Sequence, residues 1–292
     1  MRATLPCSGS RWFENGMNIL LPVSRGASFG DAVRLAIDTA KAHAGRIRVL
    51  DVVDAAEIRR IEAGARPGAI HLAKHAAEEV RKRMTAEGAA AVAETVRRCE
   101  EAGVPARGEV LEGELERELV ASAGANDLLV SAAASHFDPD LEDASGRLVL
   151  SVMREGGMPI LLSGAKYRPV RTIVVGCGGG IRTERAVGAM ARLSLWKAAP
   201  RGILLAVDDS TEGGRERIAA PRQILADAGY PPWEEKILPG PRAKTFLSFC
   251  ESADADAVVL GGWGEHRWND LLGLSVTGRL LEDGRRHLFL YM

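Results

Sequence analysis

The feature that most constrains this chain is that it performs the same pattern twice. From Asn18 onward, short runs rich in Val, Ile and Leu alternate with longer amphipathic stretches, and from Thr172 the same order begins again. Such alternation is the pattern of a parallel sheet covered by helices on both faces, so the fold class is α/β. A repeated order of this kind reads as an internal duplication. The 292 residues suffice for two domains of ordinary size, each with its own apolar core.

In the first copy, strands are predicted at 19–23, 47–53, 109–111, 127–130 and 159–162. Ala32, Leu35, Ala36, Thr39 and Ala40 recur at helical spacing between the first two strands. A long charged helix is expected from His71 to Ala102, ended by Gly103-Val104-Pro105 through a left-handed cap residue and a nearby proline. A short helix follows around 114–121. The second copy predicts strands at 172–176, 202–207, 234–238, 256–260 and 287–291, with helices at 182–196, 212–228, 242–251 and 270–282. Ile19 corresponds to Ile173 and Asp127 to Asp256, so the second copy is shorter by about 25 residues between those points. The long second helix carries that difference. The loop residues Ser163-Gly164-Ala165-Lys166-Tyr167-Arg168-Pro169 interrupt the pattern and separate a domain at 17–164 from one at 170–292. Residues 1–16 are polar and patternless, and read as a disordered extension ahead of Met17.

Several functions are disfavoured at this level. A formal net charge of −1 gives no basic surface for a nucleic acid. Cys7, Cys99, Cys177 and Cys250 form no CxxC pair, which points to a reducing compartment and away from a zinc site. No run approaches the roughly 20 apolar residues of a membrane span, and no signal peptide is legible, so the cytoplasm is the expected location. His71 and His75 lie four apart on the long helix, but no further ligand is patterned nearby and no metal is predicted. His43, near a helix end, reads as a capping residue that favours the dipole.

In open parallel sheets, ligands sit at the carboxyl ends of the strands where the strand order reverses. The loops after the first and fourth strands of the second copy are both glycine-rich. They read Gly176-Cys177-Gly178-Gly179-Gly180 and Gly261-Gly262-Trp263-Gly264. Glycine lets backbone N–H groups approach an anion, and a following helix N-terminus adds the favourable end of its dipole. Trp263 and Trp268 flank the second loop, where an indole stacks on a base or closes the packing, and Arg267 offers a charged donor.

On these residues the chain resembles the universal stress protein family, in its tandem two-domain form. Nucleotide-binding members carry G-x2-G-x9-G-[ST] after the fourth strand. Gly261, Gly264 and Ser275 fit that motif, followed by Val276, while Leu274 stands where the third glycine belongs. The resemblance implies two five-stranded open sheets of order 3-2-1-4-5, of the adenine nucleotide alpha-hydrolase-like type, paired through their last strands. It also implies an adenine nucleotide such as ATP bound by Gly178, Gly261, Gly262, Gly264, Ser275 and Val276. The aspartate that ATP-binding members place after the first strand is absent, being Gly178 here and Ser24 in the first copy. The first copy also has Ser131-Ala132-Ala133-Ala134 in place of the glycine pair, although Gly146 falls where the later glycine would be, so only the second copy is expected to bind. His287 replaces a proline often found before the last strand in this family.

The resulting expectation is a non-catalytic stress-response protein, a monomer with pseudo-dimeric domains or a dimer of tandems. One alternative is a nucleotide-independent scaffold acting through an unknown protein partner. Another is a weak nucleotide hydrolase, although no Ser/His/Asp or Cys/His arrangement supports catalysis. Gly176-x-Gly178 with Asp208 also resembles half of a dinucleotide fingerprint, with Ile181 in place of its third glycine.

Overall fold

The structure, a computed structural model, describes residues 3–4, 16–63, 70–124, 126–132, 152–261 and 276–292. In the first half the chain runs β1 (Ala3–Thr4), β2 (Asn18–Pro22), α1 (Phe29–Ala42), β3 (Arg46–Asp54), α2 (Ala55–Ala63), α3 (Ile70–Glu101), β4 (Ala106–Gly113), α4 (Leu115–Ala123), β5 (Leu128–Ala132) and β6 (Ile160–Ser163). The second half runs β7 (Thr172–Gly176), α5 (Ile181–Arg192), β8 (Arg201–Val207), α6 (Thr211–Asp227), β9 (Glu234–Leu238), α7 (Arg242–Ser252), β10 (Ala257–Gly261), α8 (Val276–Asp283) and β11 (His287–Tyr291).

All described strands join one sheet in the order β1-β4-β3-β2-β5-β6-β11-β10-β7-β8-β9. Within each half the five repeated strands are parallel and follow the order 3-2-1-4-5, as the sequence pattern and resemblance lead one to expect. The halves meet where β6 pairs antiparallel with β11, Leu161 opposite Phe289. Parallel strands are buried on both faces, which is why they read as continuous apolar runs. Ile19 and Leu21 point into the core beneath α1, α2, α3, α5 and α6, whereas Leu20 points into a second core under α4, α7 and α8.

The duplication extends to single atoms. At the start of the first copy, Asp127 donates its N–H to the Asn18 carbonyl (2.8 Å) and accepts the Asn18 N–H on its carboxylate (2.7 Å). In the second, Asp256 donates to the Thr172 carbonyl (2.9 Å) and its carboxylate accepts from Arg171 and Thr172 (2.9 and 3.0 Å). One aspartate thus ties the first and fourth strands together at their amino ends in each half.

Between the second and third strands the copies differ as follows. The first has α2 and the 32-residue α3, and the second has only the 17-residue α6. Helix α2 is an element that periodicity did not indicate. Asp54 starts it by accepting the Ala56 N–H (2.7 Å), and only Ile58 on it is buried. Gly103 adopts the left-handed conformation at φ +78° after α3, as its place before Val104-Pro105 requires. Of residues 1–16, Ala3 and Thr4 pair antiparallel with Val110 and Glu109 on β4. His43 occupies the C-cap of α1, but burial lowers its pKa, which is opposite in sign to the raised value expected of a cation held by the dipole.

The sheet has few edges left for self-association. The central edges are consumed by the β6–β11 pairing, β1 covers β4, and β9 presents exposed Glu234, Glu235 and Lys236. Charged residues on an edge oppose strand addition. Sedimentation of the full chain is therefore expected to give a monomer of 31.2 kDa. A stable dimer at micromolar concentration would show that another face is used for association.

Candidate functional site

The carboxyl ends of β7 and β10 lie side by side, because β7 and β10 are neighbours in the sheet and each ends at a glycine, Gly176 and Gly261. Helix α5 begins immediately above them. Gly179 and Gly180 hold φ at +83° and +82°, so the chain turns into the helix through two left-handed residues that only glycine adopts freely. Gly180 is the N-cap, and no side chain caps the helix. The first turn of α5 carries amides of the kind that a helix N-terminus offers to an anion.

Gly178 and Gly261 are brought to the same place. A Cβ on Gly178 would lie 3.9 Å from the Thr183 hydroxyl, and one on Gly261 would lie 2.7 Å from the Thr183 amide nitrogen. Gly261 therefore packs its Cα against the main chain of α5. Val276, another expected site residue, opens α8 and is half-buried against the second core. Gly262, Gly264 and Ser275, together with Trp263, Arg267, Trp268 and Leu274, lie outside the described residues, as does Gly146 of the first copy.

Arg217 on α6 was not singled out by sequence reasoning. Its Nε donates to Asp208 (2.7 Å) and its Nη1 to the Gly178 carbonyl, so it spans from the end of β8 to the glycine loop. Asp208 also accepts the Ser210 N–H (2.9 Å). That backbone hydrogen bond, with the Arg217 guanidinium beside it, holds its carboxyl below the usual carboxylate range. Asp208 is thereby committed to protein partners, unlike the acidic residue of a dinucleotide fold, which is left to the ribose. Ile181, in place of that fingerprint's third glycine, is 58% exposed beside the loop. Cys177 is no nucleophile: burial pushes its thiol up to about 12.

The corresponding loop of the first copy has a different chemistry. Ser24 is buried and accepts the Gly26 N–H (3.2 Å), closing the turn on itself. Ser131 and Ala132 end the fourth strand as buried residues where the second copy has Leu260 and Gly261. His71 and His75 are exposed on α3, and among the described residues no group of three or more His, Cys, Asp or Glu could hold a metal. Among those residues no helix is long and apolar enough to cross a membrane.

No protein-family model and no curated protein matches the sequence. Solved structures do match. A universal stress protein from Archaeoglobus fulgidus DSM 4304 is similar at 16% identity and a TM-score of 0.69, covering 94% of this chain and 95% of that one. A functionally unknown protein from Pseudomonas aeruginosa PAO1 is similar at 12% identity and a TM-score of 0.57, covering 94% and 92%. The cytoplasmic domain of a prokaryotic cation chloride cotransporter is similar at 11% identity and a TM-score of 0.55, covering 94% of each chain. Likeness at such identities speaks for the fold and not for an activity. With the strand order, the antiparallel seam and nearly complete coverage, the chain has the fold of a tandem universal stress protein.

Proposed function

We propose that the second domain binds an adenine nucleotide by its phosphates at the ends of β7 and β10, and that the protein is a non-catalytic, cytoplasmic stress-response protein. The observation that carries this reading is the uncapped start of α5. Two left-handed glycines open the loop there, directly above Gly261. Backbone amides in that arrangement suit phosphate oxygens, and Gly178, Gly262, Gly264, Ser275 and Val276 complete the proposed set. ATP is favoured over NADH because Asp208 is already engaged by Arg217 and Ser210. The rival reading is a nucleotide-independent scaffold. It is favoured by the loop amides of Cys177 and Gly178, which already donate to the carbonyls of Leu205 (2.8 Å) and Gly176 (3.1 Å).

Calorimetric titration with ATP, AMP and NADH separates these readings. Saturable ATP binding is expected, weakened at least about tenfold by Gly180→Val. A Cβ at Gly180 meets nothing within 4 Å, so that substitution acts through the strained backbone at φ +82° rather than through a clash. Preferential NADH binding would revive the dinucleotide reading, and no binding would favour the scaffold. Phosphate release that Gly180→Val abolishes would instead support a hydrolase.

A further inference from the structure

The linker between β6 and β7 is held from both sides. From the first domain, Asp31 on α1 accepts the Tyr167 N–H (2.8 Å), Asp38 accepts the Tyr167 hydroxyl, and the Arg34 guanidinium lies 4.5 Å over the Tyr167 ring. From the second, Arg168 makes a two-pronged pair with Asp254 (3.0 and 2.9 Å) and reaches Asp256 (3.2 Å). The innermost contact is His287, which is 1% exposed. Its Nδ1 lies 3.1 Å from the Gly164 amide nitrogen and its Nε2 lies 2.9 Å from the Arg168 carbonyl.

These partners dictate the state of the ring. A backbone N–H can only donate and a carbonyl can only accept, so Nδ1 must be bare and Nε2 must carry the proton. The imidazole bridges the linker only as the neutral Nε2–H form. A second proton would sit on Nδ1 and point at the Gly164 N–H, donor against donor. The same linker supplies Tyr167, Pro169 and Val170 as one wall of a groove of about 450 Å³. The other walls are α1, through residues such as Leu35, with its C-cap His43, and the turn 194–200 after α5.

We propose that His287 is an acid-sensitive latch: neutral, it pins the linker across the domain seam, and protonated, it releases residues 164–168 and opens the interdomain groove. The charged groups facing the ring pull in both directions. Asp256 ahead of β10 and Asp31 on α1 favour the imidazolium, while the Arg168 guanidinium on the linker opposes it. The Tyr167 ring packs at 5.9 Å and is itself shifted upward, chiefly by burial and then by the Asp38 hydrogen bond, so it stays neutral. Burial is the largest influence and lowers the imidazole from its ordinary value. A group depressed in the closed state stabilises that state fully above its open value of about 6.5, and this contribution is lost as pH falls through the closed value.

Hydrogen exchange at the Gly164 and Tyr167 amides, corrected for intrinsic exchange rates, tests the latch on the full chain. Between pH 7.5 and 5.0 the opening constant should rise by up to about 30-fold, the limit set by a group of pKa about 6.5 in the open state. His287→Gln keeps one acceptor and one donor without titrating, so its linker should stay closed at both pH values. Ring-nitrogen NMR of the wild-type chain should show the Nε2–H tautomer at pH 7.5, with its protonation step below the ordinary value of about 6.5, where the rise in exchange levels off. Unchanged exchange in the wild type, or equal acid loosening in His287→Gln, would overturn the proposal. So would loosening of β2 and β7 as large as that of the linker, which would mark global unfolding.

Discussion

Replacing Gly261 by valine is expected to lower the unfolding free energy by about 3 kcal/mol, the upper end of the usual cost of overpacking. The position leaves no room for a side chain. A Cβ there would lie 2.5 Å from the carbonyl carbon of Arg182, 2.6 Å from its oxygen and 2.7 Å from the Thr183 nitrogen. These are main-chain atoms of the first turn of α5 and cannot rotate aside. The helix would have to lift, yet Ala186, Val187, Ala189 and Met190 anchor it in the core. Gly176, one strand away, shows the contrast, since the atoms nearest to a Cβ there belong to the side chains of Leu260 and Phe246. Gly188, inside α5, meets nothing within 4 Å, and Gly188→Ala is expected to stabilise by about 0.5–1 kcal/mol through helix propensity and a less flexible unfolded chain. Urea unfolding of the two variants gives the comparison as shifts in midpoint at constant m. If Gly261→Val unfolded at the wild-type midpoint, the close approach of α5 to β10 would be wrong, and with it the frame of the proposed phosphate site.

The strands were legible because each buried strand is a short continuous apolar run, and because the run of elements repeats; their order in the sheet came only from the family resemblance. Asp127 and Asp256 stood at matching places in both copies, and the structure gives each the same bond across the first and fourth strands. Helix α2 escaped notice for a physical reason: it is only nine residues long, so Ile58 and Ile61, which pack on the core three positions apart, span too few turns to stand out beside the 32-residue helix that follows, and its start is marked only by the Asp54 turn. The glycines Gly178 and Gly261 announced themselves, since a strand end followed by a helix start is a local pattern. Arg217 did not, because its partner Gly178 is 39 positions away and nothing in a helix sequence marks that arginine from its neighbours. His287 drew attention only as a departure from a family proline. Its role rests on contacts with Gly164 and Arg168, which are 123 and 119 positions distant and are created by the antiparallel meeting of the two halves.

The same duplication yields a second large effect, in which two aspartates with one job differ in cost. Asp256→Ala should lower stability by about 3 kcal/mol and Asp127→Ala by about 1 kcal/mol, following the strength of hydrogen bonds to charged groups and the penalty for stranding their donors. Asp256 is 6% exposed, and its carboxylate serves the Arg171 and Thr172 amides as well as Arg168. Its removal leaves the Arg171 and Thr172 amides facing the buried space that its carboxylate filled. Arg168 keeps Asp254 as a partner and has a half-exposed side chain, so no isolated buried charge is left behind, which keeps the cost below that of breaking a fully buried pair. Asp127 is exposed, and water replaces it for both the Asn18 amide and the Asn18 side chain. Asp256→Asn retains an acceptor oxygen and should fall between the two. Equal losses for Asp256→Ala and Asp127→Ala would mean that burial does not set the worth of this contact, and that the first and fourth strands of the second half are fastened by other means. The expected inequality would show that the second copy depends on its aspartate more than the first, at the point where the linker is held.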